Sequence, residues 1–299
     1  MTETAEKRDI RSLSLPDLET SLAAWGEPRF RARQIFEWLW VKMVKDFDSM
    51  TNLSKDLRSR LKEAFTFYSL FDDKVQHSAD GTIKTRWLTH DGHRIESVLI
   101  PVREDERYTV CVSTQVGCSL TCAFCATGRM GRKRNLEPAE IVDQVTGVNL
   151  QSLESFGHGL TNVVYMGMGE PLLTYANTME SIARLTAPPP TGLGMAARRI
   201  TVSTAGIAKM IRKLADDGFR SNLALSLHAA DDALGKLHQA TRDAARLHQI
   251  TGEDEEGDGE ERKVVHAVGR LQRDRLQRNA HVERRQDRGE SQRIGDGHA

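Results

Sequence analysis

The hydrophobic rhythm of this 299-residue chain changes twice along its length. Between Ser14 and about Phe65, apolar residues recur at helical spacing. Ser14-Leu-Pro-Asp reads as a helix start, with Ser14 as N-cap, Pro16 in the first turn, and Leu15, Leu18 and Leu22 on one face. Gly26 after Trp25 is its stop. Two more helices are predicted, from about Ala32 to Lys45 and from Ser54 to Phe65. From residue 74 to 114 the period shortens to two. Turns fall at Asp80-Gly81 and Asp91-Gly92, followed by strands Arg94–Ile100 and Tyr108–Thr114. Beyond Glu137 strands and helices alternate. The predicted helices are Pro138–Leu153, Asn177–Leu185 and Ile207–Asp216, interleaved with strands Asn162–Met166, Arg199–Ser203 and Asn222–Leu227. That order predicts an α/β fold with a parallel sheet, whose chemistry gathers at the carboxyl ends of the strands.

Composition changes this picture in two places. From Arg29 to Lys62 nine Lys/Arg face four Asp/Glu, a local charge of 9 − 4 = +5 in a chain whose formal net charge is zero. Solvated basic helix faces would account for this, and so would Arg29, Arg31 and Arg33 gripping RNA phosphates. From Arg220 to Ala299 there is no Phe, Trp, Tyr, Cys, Pro or Met. Beyond about Ala233 no strand-like apolar run remains. A natural tail, a helical extension and an out-of-frame translation are three open readings of that stretch. No apolar run approaches the roughly 20 residues of a membrane span and the N-terminus lacks a signal-peptide core, so a cytoplasmic protein without membrane association is expected.

All four cysteines lie between Cys111 and Cys125, and Cys118, Cys122 and Cys125 are spaced C-x3-C-x2-C. Three thiolates on one short loop point to a held group. Structural zinc takes four ligands, commonly as two separated pairs, and no fourth ligand is apparent at that distance. A [4Fe–4S] cluster held by three cysteines leaves one iron open to another ligand, and is the favoured reading over zinc or inert buried thiols. Gly117 and Gly128 suit the turns of such a loop. The cysteine loop, Gly169-Glu170, Ser203 and Ser226-Leu227-His228 all fall at predicted carboxyl ends of strands. Singly, Ser203 or His228 would more often be structural, Glu96 would be the wet side of a strand, and Cys111 a small buried hydrophobe.

The cysteine spacing resembles the radical S-adenosylmethionine (SAM) superfamily. Residues 12 to about 233 resemble, more closely, its bacterial ribosomal and transfer RNA adenine-C2 methyltransferases. The carrying segments are Phe30-Arg-Ala-Arg-Gln-Ile-Phe, Met50-Thr-Asn-Leu-Ser-Lys, Ile95-Glu-Ser-Val-Leu-Ile-Pro, Cys111-Val-Ser-Thr-Gln-Val-Gly-Cys, Gly167-Met-Gly-Glu-Pro, Thr201-Val-Ser-Thr-Ala-Gly and Leu225-Ser-Leu-His-Ala.

The resemblance implies a partial (β/α) barrel of the radical SAM type (residues 71–233, incomplete), behind a helical RNA-binding domain (1–70) and a β segment. The tail, 234–299, is expected to be irregular or helical. It implies a [4Fe–4S] cluster on Cys118, Cys122 and Cys125, with SAM contacted by Gly169, Glu170, Ser203, Ser226, Leu227 and His228. One SAM methylates a protein cysteine, and a second yields the radical that activates that methyl for addition to adenine C2. Glu96 matches the proton acceptor and Cys111 the cysteine that releases product by forming a disulfide. The implied partners are 23S rRNA, tRNA and an electron donor such as flavodoxin, and a monomer is expected. The family carries its methylated cysteine near the C-terminus, whereas this sequence has no cysteine after Cys125, so this copy is expected not to turn over. Adenine-C8 methylation and a non-catalytic RNA- or cluster-binding remnant are the alternatives.

Overall fold

The computed structural model describes residues 7–122 and 125–226. Among these, 7–205 and 220–226 belong to one compact unit and Gly206–Phe219 to a second.

The first unit begins with β1 (Arg8–Asp9) and continues through α1 (Leu15–Ala24), α2 (Phe30–Trp40) and α3 (Lys55–Ala64) to β2 (Phe65–Thr66). The predicted cap of α1 is present as a reciprocal box. Ser14 Oγ accepts from the Asp17 amide and the Asp17 carboxylate accepts from the Ser14 amide, a type of cap that typically contributes about 1 kcal/mol. α2 ends at Trp40, earlier than its apolar periodicity implies, and the chain turns through Met43 at a left-handed φ of 53°. Phe36, Leu39, Trp40, Leu57 and Leu61 are buried. Parallel pairing of β1 with β2, two residues each, closes the N-terminal segment onto the end of α3.

A seven-stranded sheet follows. Its antiparallel half is β3 (Phe71–His77), β4 (Ile83–Leu88), β5 (Arg94–Val102) and β6 (Arg107–Cys111). After β6 come the short β7 (Gln115–Val116), α4 (Ala126–Arg129), β8 (Arg134–Asn135) and the long α5 (Pro138–Phe156). The parallel half is β9 (Asn162–Tyr165), α6 (Tyr175–Thr186), β10 (Ile200–Thr204) and β11 (Asn222–Leu225). Strand order is β11-β10-β9-β6-β5-β4-β3, with β6 antiparallel to β5 and parallel to β9. The expectation of strands joined by helices into a parallel sheet is borne out. β3 begins three residues earlier than the alternation implies and is exposed along its length, as an edge strand can be.

The second unit contributes α7 (Ala208–Asp216), which connects β10 to β11 in sequence. Ile211 and Leu214 are its buried residues, three apart and thus on one face.

The faces of the sheet differ. Ile95, Ser97, Leu99, Val110, Val163 and Tyr165 are buried, and α5 lies over β5 and β6 on this side. There Ser97 Oγ donates to Gln144 Oε1 of α5 at 2.9 Å, and Trp87 Nε1 donates to Ser97 Oγ at 3.0 Å. Glu96, Val98, Cys111, Val164, Thr201 and Ser203 alternate to the opposite, half-buried face.

Candidate active site

The cysteine loop stands on a hairpin that no sequence periodicity announces. β7 and β8 pair antiparallel, Gln115 with Asn135 and Val116 with Arg134, and bracket residues 117–133. Gly117 opens the loop at φ +76°, where a Cβ would collide with the Gly131 carbonyl oxygen, so only glycine fits there. Arg134 then pins the hairpin, meeting the Glu140 carboxylate at 2.7 and 2.8 Å and Asp91 at 2.6 and 2.9 Å. Glu140 sits in the first turn of α5 and Asp91 in the β4–β5 turn. The paired guanidinium holds the Asp91 carboxyl well below the usual carboxylate range.

Gln115 is the keystone under the loop. Its fully buried amide donates to Ser119 Oγ at 3.0 Å and to Asn135 Oδ1 at 2.9 Å. Its oxygen accepts from the amides of Ser119 at 3.2 Å and Glu170 at 3.1 Å. One side chain thus joins the cysteine loop to the Gly167–Pro171 loop after β9. Gly169, at φ +102°, is required by this contact, because a Cβ there would lie 2.7 Å from the Gln115 Cβ and Cγ. The close approach that this glycine permits is to Gln115.

The four cysteines carry no disulfide. Cys118 is buried and its sulfur accepts from the Leu120 amide at 3.3 Å, while Cys122 and Cys125 are half-buried, turned by the bond from the Cys125 amide to the Cys122 carbonyl at 3.0 Å. Burial pushes the Cys118 thiol up, and the charges of Cys122, Glu170 and Cys125 push it in the same direction. The three thiols therefore share one electrostatic neighbourhood. Among the described residues no three His, Cys, Asp or Glu side chains already converge at metal-binding distance. The donor set itself, three soft thiolates on one loop, fits an iron–sulfur cluster with one iron left open. The buried Glu170 carboxylate accepts from the amides of Leu172 at 3.0 Å and Ala205 at 2.8 Å.

The other sequence-predicted residues that the structure describes lie toward the same edge. Glu170 follows β9 and, through Ala205, ties the loop after β9 to the end of β10; burial raises its carboxyl. Ser203 Oγ and Ser226 Oγ are 3.2 Å apart across β10 and β11. Leu227 and His228 lie outside the described residues, as does the stretch 234–299. Cys111 ends β6, half-buried, with its thiol pushed up by burial. It is paired in register with Val98, so Glu96, two residues away on β5, shares its face of the sheet. Glu96 itself is held by Lys84 Nζ at 2.9 Å. Sequence reasoning missed Lys84, Gln115 and Arg134. Each is an ordinary polar residue until the fold shows what it touches.

The arrangement matches known proteins over most of its length. A crystal structure of a radical SAM methyltransferase from Sphaerobacter thermophilus aligns with a TM-score of 0.70 at 39% identity, covering 88% of this chain and 81% of that one. This chain belongs to the radical SAM methyltransferase family. Residues 112–251 match the radical SAM superfamily and residues 8–66 the ribosomal RNA large subunit methyltransferase N-terminal domain. A probable dual-specificity RNA methyltransferase RlmN of Cytophaga hutchinsonii is 52% identical over 227 residues, 76% of this chain and 61% of that protein. The dual-specificity RNA methyltransferase RlmN of Solidesulfovibrio magneticus is 46% identical over 227 residues, 75% and 63% respectively. The chain thus spans about three-fifths of the length of these curated relatives. The α/β radical SAM core expected from the sequence is borne out. Among the described residues no helix is long and apolar enough to cross a membrane.

Proposed function

We propose that this chain is the scaffold of an enzyme that methylates C2 of adenine in 23S ribosomal and transfer RNA. The supporting observation is the joining, through Gln115, of a three-cysteine loop to the loop after β9, in a chain that also carries the N-terminal domain of ribosomal RNA methyltransferases. Adenine C2 lies between two ring nitrogens and is electron-poor, so it does not attack an electrophilic methyl group. A [4Fe–4S] cluster and SAM, held by the residues named below, would supply radical chemistry that removes that obstacle, given one electron from a donor such as flavodoxin.

The chain's own groups then divide the remaining work. Cys118, Cys122 and Cys125 hold the cluster. The backbone of Gly169 and Glu170, with the hydroxyls of Ser203 and Ser226, lines the edge where SAM would lie, and Leu227 and His228 belong to the same set. On the half-buried face Glu96, paired with Lys84, accepts the proton lost from C2, and Cys111 resolves the product adduct. The helical domain, 1–70, meets RNA, and the core, 71–233, performs the chemistry.

The carrier of the methyl group is a cysteine distinct from these four, and the 299-residue sequence has none after Cys125. The polypeptide 1–299 is therefore expected to be silent in turnover. The test joins residues 1–226 to the C-terminal portion of the Solidesulfovibrio magneticus relative. Reconstituted chimera and 299-residue chain are incubated anaerobically with SAM, reductant and unmodified RNA, and nucleosides are read by mass spectrometry. 2-Methyladenosine from the chimera alone is the expected result. 8-Methyladenosine would overturn the position of attack, and multiple turnover by the 299-residue chain would give the carrier role to Cys111 or to another residue.

A further inference from the structure

The segment Phe30-Arg-Ala-Arg-Gln-Ile-Phe lies far in sequence from the cysteine loop. Its arginines do not act as a set. Residues two apart on a helix point about 200° apart, so Arg31 and Arg33 cannot share a face. Arg31 folds back, with Nη1 donating to Gln34 Oε1 at 2.8 Å and to the Asn52 carbonyl at 3.4 Å. Arg29 is 2.7 Å from the Glu19 carboxylate. Arg33 is exposed and has no ionic or hydrogen-bonding partner among the described residues.

Arg29 and Arg33, with Glu19 and Phe30, line an open cleft of about 310 Å³. Phe30 is 52% exposed, so about half of its ring surface faces the cleft and solvent. The Arg31 guanidinium carbon lies 5.0 Å from the ring centroid, and the bonds to Gln34 and Asn52 fix it there. The ring is thus held against a cation while half of its surface stays open. Glu19 offsets Arg29, so one uncommitted cation remains. A groove for a duplex backbone would present several free cations and no aromatic face. An aromatic face beside one free cation matches one nucleotide unit, a base with its phosphate.

Resting on the RNA-methyltransferase reading, we propose that this cleft binds an unpaired nucleotide of the substrate RNA, its base stacked on Phe30 and its phosphate held by Arg33. The cleft thereby selects RNA in which a base is free to leave its stack, as in a loop or bulge.

The test measures affinity of the full 299-residue chain for a stem-loop RNA and for a fully paired duplex of equal length, across a salt series. Phe30→Ala is expected to weaken stem-loop binding about 5- to 100-fold with its salt slope unchanged, as loss of a stacking aromatic does. Phe30→Trp should bind like the wild type. Phe30→Leu keeps an apolar side chain without a π face and should behave like Phe30→Ala. Arg33→Ala should flatten the slope of log affinity against log salt by about 0.7 to 0.9. Binding to the paired duplex should be indifferent to Phe30. Stem-loop affinity unchanged in Phe30→Ala, retained in Phe30→Leu, or lost equally on the duplex would each overturn the nucleotide site while leaving the RNA reading intact. Wild-type protein that binds neither RNA in a salt-dependent way would overturn both.

Discussion

The two faces of the seven-stranded sheet use polar residues in opposite ways. On the face covered by α5, a buried glutamine gathers the polar atoms around it. Gln144 accepts from Ser97 Oγ and from the Ser113 amide at 2.8 Å, and donates to the Ser113 carbonyl at 3.0 Å. Behind it Arg11 Nη1 reaches Asp143 Oδ1 of α5 at 2.7 Å, and Arg11 Nη2 reaches Asp9 Oδ2 at 2.9 Å, all buried or nearly so. On the half-buried face Glu96 and Lys84 keep about two-fifths of their side-chain surface in solvent, and Cys111 and Ser203 sit beside them. Saturated polar groups specify a structure, because an orphaned buried partner is costly. Groups left partly solvated can change partners, which a reaction requires. On the proposed function, stability and chemistry are carried by different faces of the same strands.

If that division holds, stability effects should fall steeply from one face to the other. Arg11→Ala should cost the most, on the order of 3–5 kcal/mol in urea unfolding, because it strands Asp143 and Asp9 without their cation. A loss below 1 kcal/mol would show that water reaches this pair. Next, Gln144→Ala should cost about 1–3 kcal/mol for each group left unpaired, principally the Ser113 amide and carbonyl. Lys84→Met on the opposite face should change stability by no more than about 0.5 kcal/mol, since exposed ion pairs contribute little. A large loss there would erase the contrast between the faces.

Much of this was legible in the sequence. Alternation found β4, β5 and β6, helical periodicity found α1, α3, α5 and α6, and the C-x3-C-x2-C spacing found the loop at the carboxyl edge. The β7–β8 hairpin was not legible. Two-residue strands show no period, and the partners are separated by the whole cysteine loop. Gln115 and Gln144 were equally silent, because a buried glutamine and a solvated one are the same letter; only tertiary contact distinguishes them. The contact of Gly169 with Gln115 was not legible either, because nothing in the sequence links the loop after β9 to that side chain. The three N-terminal arginines read as one basic cluster, yet helical geometry separates Arg31 from Arg33 and turns Arg31 onto Gln34.

The central claim is that the cysteine loop holds an iron–sulfur cluster able to engage SAM. It is tested most directly by anaerobic reconstitution, with iron and sulfide counted per chain and the reduced cluster followed by electron paramagnetic resonance before and after adding SAM. The account predicts about four irons, a broad absorption near 400 nm and a spectrum that changes with SAM. Replacing Cys118, Cys122 or Cys125 by Ala should abolish the cluster, and Cys111→Ala should leave it intact. Zinc in place of iron, or loss of the cluster on changing Cys111, would contradict the assignment.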